Sequence, residues 1–528
     1  MSQPQPSANR QIARAAGVVM AGFVLSNLTS LVRQVLESGV FGTNAEIDAF
    51  NAAAQLPDTL FMLVAGGALA SAFIPTFTDY LEKGDKDGAW LLGSAILNLV
   101  SLILMVLSVL AFLFADPIVR YVLAPNFAAD QQALTASILR VLLLSPVIFG
   151  MSGLLMGVLN THQHFLMPAL APTMHWLGQI IGIVFFVPSM GIHGLAWGTV
   201  LGAVMHFGVQ LPALRSLDWH YIPTFGLQFP GVREVARLMG PRLIGVAVVQ
   251  LNFWINVILA SGQPEGSLTA LKIGFKIMTM PQVVIAQAIA IAALPTFSAQ
   301  VSRGDLSAMR TSLASTLRSV LLLSIPAAVG LIMLRTPVIQ ALLERGEFDA
   351  NSTALAAWAL LWYTVGLVSH SVVEIIVRAF YALHDTKTPV LIGTITMSLN
   401  IGFSILFANW FERMGWPPHG GLALGNTVAT TLEMGGLLVL MRRRLKGLGG
   451  RAMLRGGLVA SAGSLVLALG VWGWGRVPLA ANPWWMMLGG IAVGGGLYGG
   501  VLFLLGVEEV RDLVRVVQAR LGRRRNAA

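Results

Sequence analysis

Pro75-Thr-Phe-Thr-Asp-Tyr-Leu-Glu-Lys-Gly84-Asp85 is answered 220 residues later by Pro295-Thr-Phe-Ser-Ala-Gln-Val-Ser-Arg-Gly304-Asp305. At the same offset Pro117-Ile-Val meets Pro337-Val-Ile, and one residue later Pro168 meets Pro389 at the start of an apolar stretch. Self-similarity at a fixed spacing, in register with the ends of apolar stretches, marks a duplicated structural unit.

The repeated unit is a set of membrane spans. The chain has 528 residues, of which 55% are hydrophobic and 11% charged. Its mean hydropathy is +0.74. A soluble chain carries about 25% charged residues, so a cytosolic enzyme, a nucleic-acid module and a disordered scaffold are all excluded. Apolar stretches long enough to cross a bilayer fall at about 13–37, 55–79, 90–114, 133–159, 165–187, 192–214, 240–260, 268–297, 313–334, 354–378, 389–410, 420–441, 454–474 and 484–506. Only helices satisfy their own backbone over such lengths in lipid. The fold class read here is therefore an all-α polytopic membrane protein of about 14 spans, with two parallel six-helix repeats and a C-terminal helix pair. The expected divisions are 1–225, 226–445, 446–506 and a basic tail, 507–528. No cleavable leader is expected at the N-terminus. In the tail, Val510, Leu513, Val514, Val517 and Leu521 have helical spacing among arginines, which predicts an amphipathic helix on an anionic leaflet.

Charge supports this topology. On an even span count, 25 of the 34 Lys and Arg residues fall on the side of the termini, 5 on the other, and Arg33, Arg140, Lys272 and Lys276 within spans. By the positive-inside rule both termini are cytoplasmic. The net charge of +10 needs no nucleic acid to explain it. The absence of cysteine excludes disulfides and thiolate chemistry. Six spans per repeat give both halves the same orientation, an arrangement typical of transporters with a substrate site between the halves.

Polar residues at membrane depth point to that site. Ser26, Ser30, Arg33 and Glu37 share one face of span 1, with Asn27 and Gln34 beside it. Asp48, Asn51, Gln55 and Asp58 do so around the start of span 2. Span 7 contributes Gln250, Asn252 and Asn256, and span 8 carries Thr269, Lys272, Lys276 and Thr279. These are the first two spans of each repeat, so their stripes are expected to converge on one cavity. Arg33, Lys272 and Lys276 are expected at a similar level near the outer side, where they suit a phosphate or pyrophosphate headgroup. The alternative is that they snorkel to the interface. Glu374, four residues before Arg378, and Glu433 are candidates for ion coupling, although Glu374 and Arg378 also have the spacing of a simple pair. No cofactor or metal site is expected: His162 and His164 have the wrong spacing for zinc, and no acid cluster suits a magnesium-dependent membrane enzyme.

The chain resembles the MurJ/MviN lipid II flippases, within the multidrug/oligosaccharidyl-lipid/polysaccharide exporter superfamily. The resemblance rests on Phe41-Gly42 with Asp48-Ala49-Phe50, on Leu56-Pro57, on Ala72-Phe73-Ile74-Pro75 and on Ala124-Pro-Asn-Phe127. Leu159-Asn160-Thr161 with His164-Phe165 and Pro168-Ala-Leu-Ala-Pro172-Thr173, Met239-Gly240-Pro241, and Phe380-Tyr381 with Asp385-Thr-Lys387-Thr-Pro389-Val390 extend it. It implies a non-enzymatic flippase that moves lipid-linked peptidoglycan precursor to the outer leaflet of the bacterial inner membrane. The implied partners are a polyprenyl-pyrophosphate-linked glycolipid, membrane lipids and a coupling cation. The implied parts are a cationic cavity for the headgroup and a groove at spans 13 and 14 for the tail. Arg33 and Asp48 match family positions, and Lys276 stands at or near a family cation. Asn27 and Phe61 replace two expected arginines, Gln34 an aspartate, and Ala65-Gly66-Gly67 the usual Ala-Glu-Gly. The alternative is therefore a carrier of another polyprenyl-pyrophosphate glycolipid or of amphipathic drugs.

Overall fold

The structure is a computed structural model that describes residues 8–64, 67–217 and 219–507. It is 86% helical, with no strand among the described residues. The backbone contacts divide it into two units.

The first unit takes in Met1–Leu268 and Arg345–Phe348. Its long helices are α1 (Ala8–Phe41), α2 (Ala45–Val64), α3 (Gly67–Glu82), α4 (Lys86–Leu113), α5 (Ala129–Leu142), α6 (Ser145–Thr161), α7 (Leu166–Ile181), α8 (Ile192–Gly208) and α9 (Pro230–Ser261). Here α5 with α6 forms a single membrane-length rod, and so does α7 with the turns that follow it to Met190. The second unit takes in Thr269–Glu344 and Asp349–Ala528. It holds most of α10 (Ser267–Gln282), then α11 (Ala288–Ser302), α12 (Leu306–Leu343), α13 (Ala350–Val365), α14 (Leu367–Ala382), α15 (Lys387–Arg413), α16 (His419–Arg444), α17 (Gly450–Trp474) and α18 (Pro483–Leu504).

Among the described residues, eleven helices are long and apolar enough to cross a membrane. The pair α13 and α14, bent by 46° at Gly366, makes a twelfth. The two other expected spans lie on α2 with α3, and on α9. Both are helical and carry charge within or beside the span: Asp48 and Asp58 on α2, Arg233 and Arg237 on α9. A total of 14 is compatible with this. The proposed amphipathic tail falls outside the described residues.

Several helices extend past their apolar stretch, because capping and not hydropathy ends them. Span 2 was expected to begin near residue 55, yet α2 begins at Ala45. Span 9 was expected over 313–334, yet α12 runs from Leu306 to Leu343. The offset of 220 residues recurs in the backbone itself. Gly84 and Gly304 take φ of 77° and 73°. The aspartate after each caps the next helix: Asp85 accepts from Gly88 N–H and Asp305 from Ala308 N–H, both at 2.8 Å. Gly226 and Lys446 both have φ of 53°. The echo fails at Pro117 and Pro337. The first sits in a short turn, Ala115–Ile118, after a break at Phe114, whereas the second lies inside the continuous α12.

Close packing inside the first unit is set by glycines at every fourth position. Gly178 and Gly182 face Gly194, Gly198 and Gly202 across α7, its continuation and α8. A Cβ on Gly182 would stand 2.5 Å from Gly198 Cα, and one on Gly198 would stand 2.6 Å from Gly182 Cα. Lipid tails are as apolar as any side chain, so membrane helices gain by such backbone approach and not by hydrophobic expulsion.

Candidate substrate-binding site

The Arg33 side chain projects from α1 onto α7, and both helices belong to the first unit. Its Nη1 pairs with the Glu37 carboxylate one turn on. The same nitrogen donates to Gln179 Oε1 at 3.2 Å, and Nη2 donates to Gln34 Oε1 at 3.1 Å. The Trp176 ring lies under the guanidinium, with Cζ 5.5 Å from its centroid. Among the described residues the buried Nε–H has no acceptor. Gln34 Nε2 donates in turn to Glu37 Oε1 at 3.3 Å and to Ser38 Oγ at 3.3 Å. On the far side, Gln179 Nε2 lies 3.0 Å from His175 Nε2. The Arg33 and Glu37 side chains are 12% and 6% exposed. This is not snorkelling: the cation turns into protein, and its charge is already balanced by a neighbour on its own helix. Because α1 runs to Phe41, Arg33 lies eight residues from the helix end, about 12 Å at 1.5 Å per residue. That is deeper than the four residues expected.

Buried polar contacts continue behind this cluster. His175 meets the Phe149 ring edge-on at 5.0 Å, and Phe149 meets His206 at 5.4 Å. His206 Nδ1 lies 2.6 Å from Ser152 Oγ, which accepts from Gln210 Nε2 at 2.6 Å.

Asp48 does not line a face of bare polar groups. It is buried and accepts from Gly266 N–H at 2.8 Å, at the start of α10. Glu265 Oε1 accepts from Ala45 N–H, the start of α2, at 2.7 Å. Each carboxylate caps the other's helix. Glu347 N–H adds a bond to Gly39 O at 2.9 Å. Sequence reading missed Glu265; a carboxylate directly before the Gly-Ser that opens a helix was the available signal.

The remaining expected residues divide between the units. In the first, Ser30 and Asn252 are buried, Asn51, Gln55, Gln250 and Asn256 half-buried, and Asn27 and Asp58 exposed. Asn27 Nδ2 donates to Phe23 O at 2.8 Å. Asn256 Nδ2 donates to Asn252 O and Oδ1 at 2.9 and 3.1 Å. Trp254 Nε1 ties α9 to α2 through Thr59 Oγ1 at 2.7 Å. In the second, Lys272 and Lys276 are half-buried on one face of α10, with Thr269 buried and Thr279 Oγ1 donating to Lys276 O at 2.9 Å. Glu374 accepts from Arg378 Nη2 at 2.9 Å. Glu433 is half-buried on α16; a Cβ on Gly393 would lie 3.3 Å from its Oε1. His370, not singled out from sequence, lies 3.3 Å from Asn426 Oδ1 and 3.5 Å from Thr430 Oγ1.

The second unit also holds an apolar cavity of about 730 Å³ among α12, α16 and α17. Leu321, Ile325, Leu438, Met453 and Leu458 form its walls, and Arg442 stands at its edge.

A many-spanning helical chain with a duplicated backbone pattern and a buried, hydrogen-bonded arginine within a span has the architecture of a multi-pass membrane transporter. The family model described as lipid II flippase MurJ matches residues 38–487. The chain belongs to the MurJ family. It is 30% identical over 441 residues to the lipid II flippase MurJ of Burkholderia cenocepacia, covering 81% of this chain and 83% of that one. It is 27% identical over 527 residues to the probable lipid II flippase MurJ of Bdellovibrio bacteriovorus, covering 96% and 98%. Among solved structures, a lipid II flippase MurJ in an inward closed conformation shares the fold with a TM-score of 0.80, at 24% identity, over 94% of this chain and 99% of that one. An inward-facing multidrug resistance MATE transporter of the MOP superfamily matches with a TM-score of 0.67 at 16% identity, over 80% and 94%.

Proposed function

We propose that this chain flips lipid II, the lipid-linked peptidoglycan precursor, from the inner to the outer leaflet of the bacterial inner membrane by alternating access. The observation that carries this reading is the family match over residues 38–487. The chemistry at Arg33 agrees with it. A guanidinium held by two glutamines and a tryptophan face is pre-oriented for a bidentate phosphoryl contact. Lys272 and Lys276, half-buried on one face of α10, are the cationic candidates of the second unit. The apolar cavity beside Arg442 suits the prenyl tail, which stays in a hydrocarbon environment while the headgroup crosses. The distribution of basic residues supports cytoplasmic termini. On that orientation the reciprocal caps of Asp48 and Glu265 lie on the outer side and tie the start of α2 to the start of α10. The half-buried Glu433 is the candidate for a coupling cation, since Glu374 is already paired with Arg378.

The test is complementation of a strain depleted of its own lipid II flippase. The wild-type chain should restore growth. Arg33→Ala should fail while inserting and folding normally, and Arg33→Lys should recover part of the function. One observation favours a second reading, another polyprenyl-pyrophosphate glycolipid: Asn27, where the family resemblance expects a cation, is neutral and bonded to its own helix. Failure of the wild-type chain to complement, with normal membrane insertion, moves the assignment to that substrate.

A further inference from the structure

We infer that Glu37 is a specificity-determining residue: a built-in competing anion that lets Arg33 engage a pyrophosphate but not the singly charged phosphodiester of bulk phospholipid. The inference rests on the proposed role of Arg33 in headgroup binding and concerns selectivity at that site.

Arg33 is held by side chains from its own helix and from α7. Gln34, Gln179 and Trp176 are neutral and fix the plane of the guanidinium. Glu37 is the anion paired with Arg33 among the described residues. It is 5% exposed as a residue, and its Oε1 also accepts from Gln34. Position and charge balance are thus supplied by different groups. Glu37 can be exchanged for an incoming anion while the neutral partners keep the cation in place.

The exchange is selective because of what it leaves behind. Separating a buried pair strands a carboxylate in a low-dielectric site, which is strongly unfavourable unless the newcomer attracts the cation more strongly. A phosphodiester brings one negative charge, the same as Glu37, and must shed its own water. It gains nothing by the swap. A pyrophosphate brings at least two charges on adjacent phosphoryl groups. It can span two donors of the fork, and the buried Arg33 Nε–H has no acceptor among the described residues. In a membrane where phospholipid vastly outnumbers any polyprenyl pyrophosphate, an unmasked arginine would be occupied by the wrong headgroup. A repulsive element against the abundant competitor is the general route to such discrimination.

The test uses the full chain in neutral-lipid nanodiscs, with farnesyl pyrophosphate and short-chain phosphatidylglycerol as probes. Wild type should bind farnesyl pyrophosphate and show little competition from phosphatidylglycerol. Glu37→Gln keeps a hydrogen-bond acceptor beside Arg33 but removes the charge. It should raise phosphatidylglycerol affinity by roughly tenfold or more, the scale of one charge-assisted hydrogen bond, so that the two probes compete. Glu37→Asp keeps the charge at a poorer distance and should fall between, which preserves the test if Glu37→Gln folds badly. Equal selectivity in wild type and both variants overturns the inference. Arg33→Ala separates the two levels. Loss of farnesyl pyrophosphate binding in Arg33→Ala with unchanged selectivity in the Glu37 variants defeats the role of Glu37 alone. Unchanged binding in Arg33→Ala defeats the headgroup role of Arg33 itself.

Discussion

The Asp48 carboxylate accepts the backbone N–H of Gly266 at 2.8 Å, while the residue beside that glycine, Glu265, accepts the N–H of Ala45 at 2.7 Å. Ala45 and Ser267 open helices that follow span 1 and span 7, the first spans of the two repeats. The first N–H groups of a helix lack partners of their own and carry partial positive charge. Here Asp48, in the first turn of α2, satisfies Gly266 N–H, and Glu265, in the loop before α10, satisfies Ala45 N–H.

These caps should govern how firmly the starts of α2 and α10 are held. Asp48→Ala and Glu265→Ala should each cost about 1 kcal/mol of local helix stability. The chain has no native cysteine, so a single cysteine at Asn51, six residues into α2, reports the change. Its reaction with a water-soluble maleimide should quicken in either cap variant. An unchanged rate in both would mean that the caps do not hold the start of α2.

Backbone contact between α7 and α8 should be equally sensitive. Gly198→Ala places a Cβ 2.6 Å from Gly182 Cα, and overpacking of this kind costs about 1–3 kcal/mol. The melting temperature in detergent should fall, and binding should weaken with it because α7 carries Trp176 and Gln179. Gly208→Ala, with nothing within 4 Å of the new carbon, is the control. Equal melting temperatures for the two variants would contradict the packing argument.

Asp385 supplies a pH-dependent tie outside the spans. It accepts Thr388 N–H at 3.0 Å and Thr388 Oγ1 at 2.7 Å, and it pairs with Arg444 at 2.9 Å. The backbone bond from Thr388, then its hydroxyl, and then the charge of Arg444 hold its carboxyl below the ordinary value of 3.8. A depressed carboxylate stabilises the fold fully above its unfolded value and loses that contribution as pH falls through the folded one. The stability difference between wild type and Asp385→Asn should therefore be constant above pH 3.8 and shrink below it. A difference that instead grows on acidification would reverse the sign of this assignment.

Topology can be read in intact cells. A single cysteine replacing exposed Arg303 should resist a membrane-impermeant reagent, and one replacing exposed Arg413 should react. Labelling at position 303 would invert the proposed orientation.

Hydropathy and the 220-residue echo determined most of the fold, because lipid forces a long apolar stretch to be helical whatever its neighbours are. Gly84-Asp85 and Gly304-Asp305 closed the echo in sequence, and the structure makes each a left-handed glycine followed by a capping aspartate. The helix limits were not legible in sequence. Ala45 and Leu306 start their helices ahead of the apolar run because caps, read at single atoms, decide where a helix begins. At the candidate site, the face holding Ser30, Arg33 and Glu37 followed from helical periodicity. That Arg33 pairs with Glu37 and rests on Trp176 and Gln179 did not follow. Those two residues are more than 140 positions away, and only the packing of α7 against α1 brings them there. Likewise Asp48 has the spacing of a cavity residue. Only the tertiary structure makes it a cap, because its partner is a backbone N–H whose position no side-chain pattern records.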